Sequence, residues 1–450
     1  MTATQRQALS LALAVAVGCA VAATFQLALG TSSYNFWGGA IVIPVVVGLN
    51  ALLIRHVVRD SEESWFAGLL GAAFAAKLAG ALARYYFAYI VYAGAADAQR
   101  YNLYAAMQYK NWRNGIITFE VGGKQGTQWM ETITTALYTV IGPSPLAAFV
   151  IFASFAFWGQ YFLYRAFCVA LPDGNRKRYA VLVLFLPSLL YWPSSIGKES
   201  WLMFFVGVTA LGAARLFAHD GFGRAILLLG IGAAGTALLR PHISVLLFAA
   251  LFIAQLFRPT SARSTGILSK VAGVLVMGAA ALILTTQSAA FLGIDDLSVQ
   301  GITQSVDEAS QQASEGNSSF ESAPISSPAD IPSAIITVLF RPFPFEAHNA
   351  QMLMQSLEGL LLIYLAVKAW PQLRLLPRLL RRNPYVTFTV VYCCAFIWAF
   401  SGFGNFGILA RQRVLMIPFF LVLLALPSVA VLRDQVTPRP RRRELARGRR

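Results

Sequence analysis

Five short polar segments interrupt an otherwise apolar chain, and each offers side chains that can bind an anion or move a proton. They are Ala96-Asp97-Ala98-Gln99-Arg100-Tyr101, Pro193-Ser194-Ser195-Ile196-Gly197-Lys198-Glu199, Leu239-Arg240-Pro241-His242, Phe340-Arg341-Pro342-Phe343-Pro344-Phe345-Glu346 and Asn405-Phe406-Gly407-Ile408-Leu409-Ala410-Arg411-Gln412-Arg413. The carboxylates Asp97, Glu199 and Glu346 are candidate general bases toward a hydroxyl. Arg100, Lys198, Arg240, His242, Arg341, His348, Arg411 and Arg413 are candidate ligands for an anionic group, because guanidinium forks meet phosphate through paired hydrogen bonds. No metal-ligand spacing is present, and Cys19, Cys168, Cys393 and Cys394 all fall within apolar runs, where they pack rather than coordinate.

Each segment also has a plainer reading. Asp97 can pair with Arg100 and anchor a loop, an alternative as good as the catalytic one. Glu199 suits the first turn of a helix, where a carboxylate meets the positive end of the dipole. Ser195-Ile196-Gly197-Lys198 matches the Ser-x-x-Lys of penicillin-binding enzymes only formally, since no Lys-Thr-Gly element accompanies it. Arg240-Pro241-His242 breaks what would otherwise be one long apolar helix; a simple hairpin more often uses Gly, Asn or Ser there, which favours a binding role. Arg341 among aromatics and prolines fits an interfacial belt with a snorkelling arginine. Lys77 lies about 18 Å from the Trp65 end of its run at ~1.5 Å per residue, and a buried pair with Glu358 is its structural explanation.

These segments must be positioned by membrane helices. Hydrophobic residues make up 57% of 450, charged residues 12%, and mean hydropathy is +0.60, which excludes an ordinary soluble domain. The expected fold is all-α, a polytopic bundle of about 12 spans (10–13) over residues 1–435, with external loops 94–145 and 293–350 and a basic cytoplasmic tail at 436–450. The spans begin with Ala8 to Leu29 and include Val271 to Leu292; those near Tyr179, Ala225 and Ile243 are short and either borrow flanking residues or are broken helices around a cavity. With the N-terminus in the cytoplasm, 25 Lys and Arg fall in cytoplasmic segments, 9 outside and 2 (Lys77 and Arg84) within a span, accounting for all 36. This orientation puts all five polar segments on the external face, with both termini in the cytoplasm. The net charge of +16 is dispersed over helix ends, so nucleic acid is not the expected partner; the tail Pro438-Arg439-Pro440-Arg441-Arg442-Arg443 suits anionic lipid headgroups. Loop 293–332 is acidic, without Lys or Arg, and reads as a solvated loop or lid.

The Asp97-Ala98-Gln99-Arg100-Tyr101 loop after an early span, Phe185-Leu186-Pro187-Ser188 leading into Trp192-Pro193-Ser194-Ser195 and Lys198-Glu199, Phe340-Arg341-Pro342-Phe343, and the terminal Arg411-Gln412-Arg413 together resemble bacterial polytopic glycosyltransferases and polysaccharide polymerases that use polyprenyl-linked sugars. The acidic pair that many GT-C glycosyltransferases carry after the first span is absent from Gly30 to Phe36, so the resemblance is closer to O-antigen or exopolysaccharide polymerases. It implies glycan transfer from a polyprenyl diphosphate to an acceptor hydroxyl at the external leaflet of a bacterial inner membrane. Arg240, Arg341, Arg411 and Arg413 would hold the leaving diphosphate and Asp97, before Glu199 or Glu346, would take the proton. No cofactor is required, although a divalent cation could assist, and envelope-glycan assembly proteins are candidate partners. The alternatives are a lipid-linked oligosaccharide flippase or exporter, for which only Lys77, Arg84 and Glu358 offer charge within the bilayer, and a noncatalytic scaffold.

Overall fold

The computed structural model of the chain describes residues 33–258 and 319–436, apart from 60, 62, 95, 120–124, 321 and 323, together with isolated positions between 18 and 31 and at 273 and 278. Among the described residues the architecture is helical, and the sole extended pairing is a bridge between Ser319 and Asn405. The expected spans Ala8 to Leu29 and Val271 to Leu292, most of the acidic loop and the basic tail lie outside the described residues.

Apolar composition fixes what each helix can face. In α1 (Tyr34–Arg59), Ile41, Val45, Leu49 and Leu52 form an exposed stripe at helical spacing, while Gly38, Gly39, Ile43, Val47, Asn50 and Ile54 are buried. Such a stripe is costly in water and natural against hydrocarbon. Among the described residues six helices are long and apolar enough to cross a membrane: α1, α2 (Phe66–Tyr86, continued by a π-turn to Val91), α5 (Pro145–Ala170), α8 (Lys198–Ala218), α9 (Phe222–Leu239) and α12 (Ala350–Lys368). A seventh crossing results if α16 (Phe406–Arg413) and α17 (Ile417–Leu424), bent by 62°, form one span. The described residues are therefore those of an all-helical membrane protein, and six or seven of the expected spans are carried among them by length and composition.

The intervening elements, in chain order, are α3 (Asp97–Arg113), α4 (Gln125–Ile141), α6 (Arg176–Phe185), α7 (Pro187–Tyr191), α10 (Pro241–Leu256), α11 (Ile331–Phe340), α13 (Trp370–Leu373), α14 (Leu376–Leu379), α15 (Pro384–Phe400) and, after α17, α18 (Val429–Val436). Residues 94–145 are thus not an irregular loop. Asp97–Arg113 and Gln125–Ile141 pair as the helices α3 and α4, joined by the Arg100–Glu131 ion pair at 3.0 Å and by Tyr138 Oη donating to Asn102 Oδ1 at 2.7 Å.

The centre of the bundle is α5 crossing α8. A Cβ on Gly159 would collide with the backbone of Met203 and Phe204, and one on Gly207 with the carbonyl of Gly159, so the two glycines let the backbones touch. Polar glue fastens α1 alongside: Asn50 donates to Ser154 Oγ at 3.3 Å and accepts from Trp158 Nε1 at 2.8 Å.

Of the three short spans, the one near Tyr179 is broken, whereas those near Ala225 and Ile243 take in flanking residues as the continuous helices α9 and α10. Pro187 begins α7 immediately after α6 ends, and the freed backbone groups find side chains. Lys77 Nζ donates to Leu189 O at 2.7 Å, and Glu358 Oε2 accepts from Ser188 N at 2.7 Å. The expected direct Lys77–Glu358 pair does not form; the two side chains grip adjacent residues of α7, just beyond the break.

Candidate functional site

Four of the five polar segments meet at one end of the bundle, each delivered by a helix terminus. Ala96 is extended and Asp97 opens α3. Gly197 is extended ahead of α8, so Lys198 and Glu199 occupy its first turn, while Ser200 Oγ donates back to Ser195 O at 2.8 Å and fixes the turn before it. Arg240 is the single residue between α9 and α10, where Pro241 removes an N–H and stops the helix from continuing. Asn405 caps α16 by accepting from Gly407 N and Ile408 N, which leaves Arg411 and Gln412 in the last turns before the bend.

The side chains interlock. Arg411 Nη1 donates to Asp97 Oδ2 at 2.8 Å, and Arg240 Nη2 donates to Glu199 Oε1 at 2.9 Å. Arg240 Nη1 reaches Gln412 Oε1 at 2.7 Å, and Lys198 Nζ reaches Thr127 Oγ1 on α4 at 3.1 Å. Glu199 interacts electrostatically with both Arg240 and Arg411. Tyr101, one turn along α3 from Asp97, is buried between these charges and bonds to Thr127. Burial first, then the Asp97 and Glu199 charges, push its phenol above the ordinary range against the opposing Arg240 charge and Thr127 bond, so near neutral pH it remains a protonated donor. His242 adds its ring 6.3 Å from that of Phe400, within the field of Arg240 and Lys198.

Comparison with models of protein families, with curated proteins and with solved structures finds no match.

Several sequence-predicted residues lie elsewhere. Arg100 pairs with Glu131 rather than with Asp97, because residues 97 and 100 sit on a regular helix whose partner across the hairpin is α4. Arg413 is 1% exposed and directs Nη1 to Arg341 O at 2.6 Å; two residues along a helix turn the side chain about 200° away, so Arg411 and Arg413 cannot serve one anion together. Arg341 and Glu346 form their own pair across the Pro342–Pro344 turn, with Phe343 N also donating to Glu346 Oε2 at 2.7 Å. The Arg341 guanidinium further covers the rings of Phe320 and Phe406, which stack at 4.0 Å. Glu346 is thus engaged as a staple, and His348 is exposed on the link before α12. Tyr101, Thr127 and Gln412 join the cluster without having been candidate site residues. Tyr101 and Gln412 lie inside recognised segments, but nothing in the sequence of α4 marks Thr127.

Chemically, the cluster offers three permanent cations, Lys198, Arg240 and Arg411, against two carboxylates, Asp97 and Glu199. The imbalance favours an anion. Exposure grades it: the Arg240 and Glu199 side chains are each 12% exposed, whereas Asp97 is 67% and Arg411 31%. The cluster therefore has an enclosed floor and an open rim. No three His, Cys, Asp or Glu side chains gather as a metal-ligand set among the described residues.

Proposed function

We propose that this protein is a membrane glycosyltransferase or polymerase that moves a glycan from a polyprenyl diphosphate to an acceptor hydroxyl at the external face of a bacterial cytoplasmic membrane. The observation that carries the reading is the convergence of Lys198, Arg240 and Arg411 from three distant helix termini at one end of a membrane bundle. Cations outside the cytoplasm run against the usual distribution, and a diphosphate ester at the leaflet surface gives them a use. The acceptor oxygen bonds to the anomeric carbon as the bond from that carbon to the diphosphate oxygen breaks. The diphosphate leaves with the electron pair, stabilised by Arg240, Arg411 and Lys198, and Asp97 takes the hydroxyl proton. Tyr101 supplies a neutral hydrogen-bond donor beside the leaving group.

The same reading places both termini in the cytoplasm. About twelve crossings follow if the bent α16–α17 pair, the broken α6–α7 helix, α10, α15 and the two undescribed apolar runs all cross. Purified protein in nanodiscs, given a polyprenyl diphosphate glycan and a glycan acceptor, should lengthen the acceptor and release polyprenyl diphosphate. Cells lacking the protein should accumulate the lipid-linked intermediate and lose long polymer. Unaltered surface glycan together with unaltered lipid-linked intermediates would overturn the assignment.

A further inference from the structure

In the structure both carboxylates of the cluster are held by the arginines that would bind the donor. Asp97 Oδ2 rests on Arg411 and Glu199 Oε1 on Arg240. An aspartate oxygen that accepts from a guanidinium is a weaker proton acceptor, and the N–H that it occupies is not open to phosphate. Carboxylate and phosphate oxygens present the same acceptor geometry to a guanidinium fork and so compete for one place.

Building on the diphosphate reading above, we propose that Asp97 is a displaceable counter-ion: it occupies on Arg411 the seat that the donor's diphosphate takes, and arrival of the donor releases it as the base for the acceptor. The two pairs differ in a way that selects Asp97. Arg240–Glu199 is enclosed on both sides and braced by Gln412, so breaking it would strand a nearly buried charge. Arg411–Asp97 lies on the rim with Asp97 largely in solvent, so the freed carboxylate meets water at little cost. Arg411 also feels Glu199, and Tyr101 lies against the same charges, so the seat keeps its other members after Asp97 leaves. The exchange imposes an order. Without donor the base is occupied; with donor bound the base is free beside the bond to be broken, which keeps proton abstraction from running ahead of donor binding.

The test is the affinity of the full-length protein in nanodiscs for inorganic pyrophosphate, by titration calorimetry at low salt. Removing the competing carboxylate in Asp97→Asn should tighten binding by about threefold to fivefold, the scale of an exposed ion pair. Asp97→Glu, which keeps the competitor, should bind as the parent does. Glu131→Gln controls for loss of one negative charge on the same hairpin but away from the seat, and should change little. Thermal melts of the unliganded variants exclude unfolding, and Asp97→Ser repeats the key substitution should Asn bond to Arg411. Parent-like affinity in both Asp97→Asn and Asp97→Ser would overturn the exchange, as would equal tightening in Glu131→Gln, which would mark a bulk charge effect. Failure of every variant and of the parent to bind pyrophosphate would instead sink the diphosphate reading itself.

Discussion

At the scale of single residues, the consequence of the cluster is that charge alone does not define a role; the partner does. Arg411 and Arg413 are two positions apart, yet one faces the rim and the other is buried on Arg341 O. Arg411→Lys keeps the charge but loses the planar fork, so transfer should fall by about tenfold or more, while Arg100→Gln, which touches only Glu131, should stay within about twofold. Equal losses would show that the hairpin and not the anion seat is being disturbed. Asp97→Asn should lower turnover roughly 10²-fold or more, the usual range for a general base, measured as kcat under saturating donor. The types of these residues were legible in the sequence, because arginines and acids stand out between apolar runs. Their partners were not, since pairing depends on which helix face each occupies and on segments such as α4, whose mixed polar and apolar residues give no span signal.

At the scale of elements, helix ends build the site and helix crossings hold those ends still. The α5–α8 crossing sets where Lys198 and Glu199 begin, and it depends on two backbones in contact at Gly159 and Gly207. Gly207→Val forces α8 away from α5, and should cut the yield of folded protein severely, read by size-exclusion in detergent, whereas Gly223→Val at an open position should not. The Phe340–Glu346 segment is closed on itself by the Arg341–Glu346 pair while Arg341 O holds Arg413 of α16. Burial works to raise the Glu346 carboxyl, but the Arg341 bond, the Phe343 N–H and the Arg341 charge together hold it below the ordinary value of 4.5. Because its folded value is depressed, this staple is fully present above pH 4.5 and is lost as pH falls through the lower, folded value. Hydrogen exchange over residues 341–349 should accelerate as the pH, after correction for intrinsic rates, drops below that ordinary value. In Glu346→Gln it should already be fast at neutral pH. Helix boundaries such as Pro145, Pro241 and Pro384 were readable because proline starts helices in this chain; the hairpin α3–α4 was missed because its amphipathic faces carry too many polar residues to register as a span.

At the scale of the whole molecule, the orientation decides whether the cluster can meet an external acceptor. The hairpin link at Ile117 is exposed, as is Arg381 between α14 and α15. In a background without native cysteines, Ile117→Cys should react with a membrane-impermeant maleimide on intact cells, and Arg381→Cys only after the membrane is opened. The reverse pattern would place the cations on the cytoplasmic side and remove the external-acceptor chemistry. Membrane class was legible from composition alone. Span number was not, because a bend, a proline break and several helices below about 18 residues separate hydropathy from crossing.

The break between α6 and α7 carries a consequence for voltage. Lys77 and Glu358 seize consecutive residues, Leu189 and Ser188, so two ionisable side chains of opposite type are tied to the same stretch of backbone. A unit charge crossing the full membrane potential changes energy by about 2.3 kcal/mol per 100 mV, enough to shift a rate nearly fiftyfold. Two side chains tied to adjacent backbone groups contribute nothing to that coupling when neutral, and cancel in it when ionised as a pair, so long as neither leaves its hold. Turnover in proteoliposomes should therefore be the same with and without an imposed potassium-diffusion potential. A severalfold dependence on its sign would mean that one of these charges moves during the cycle.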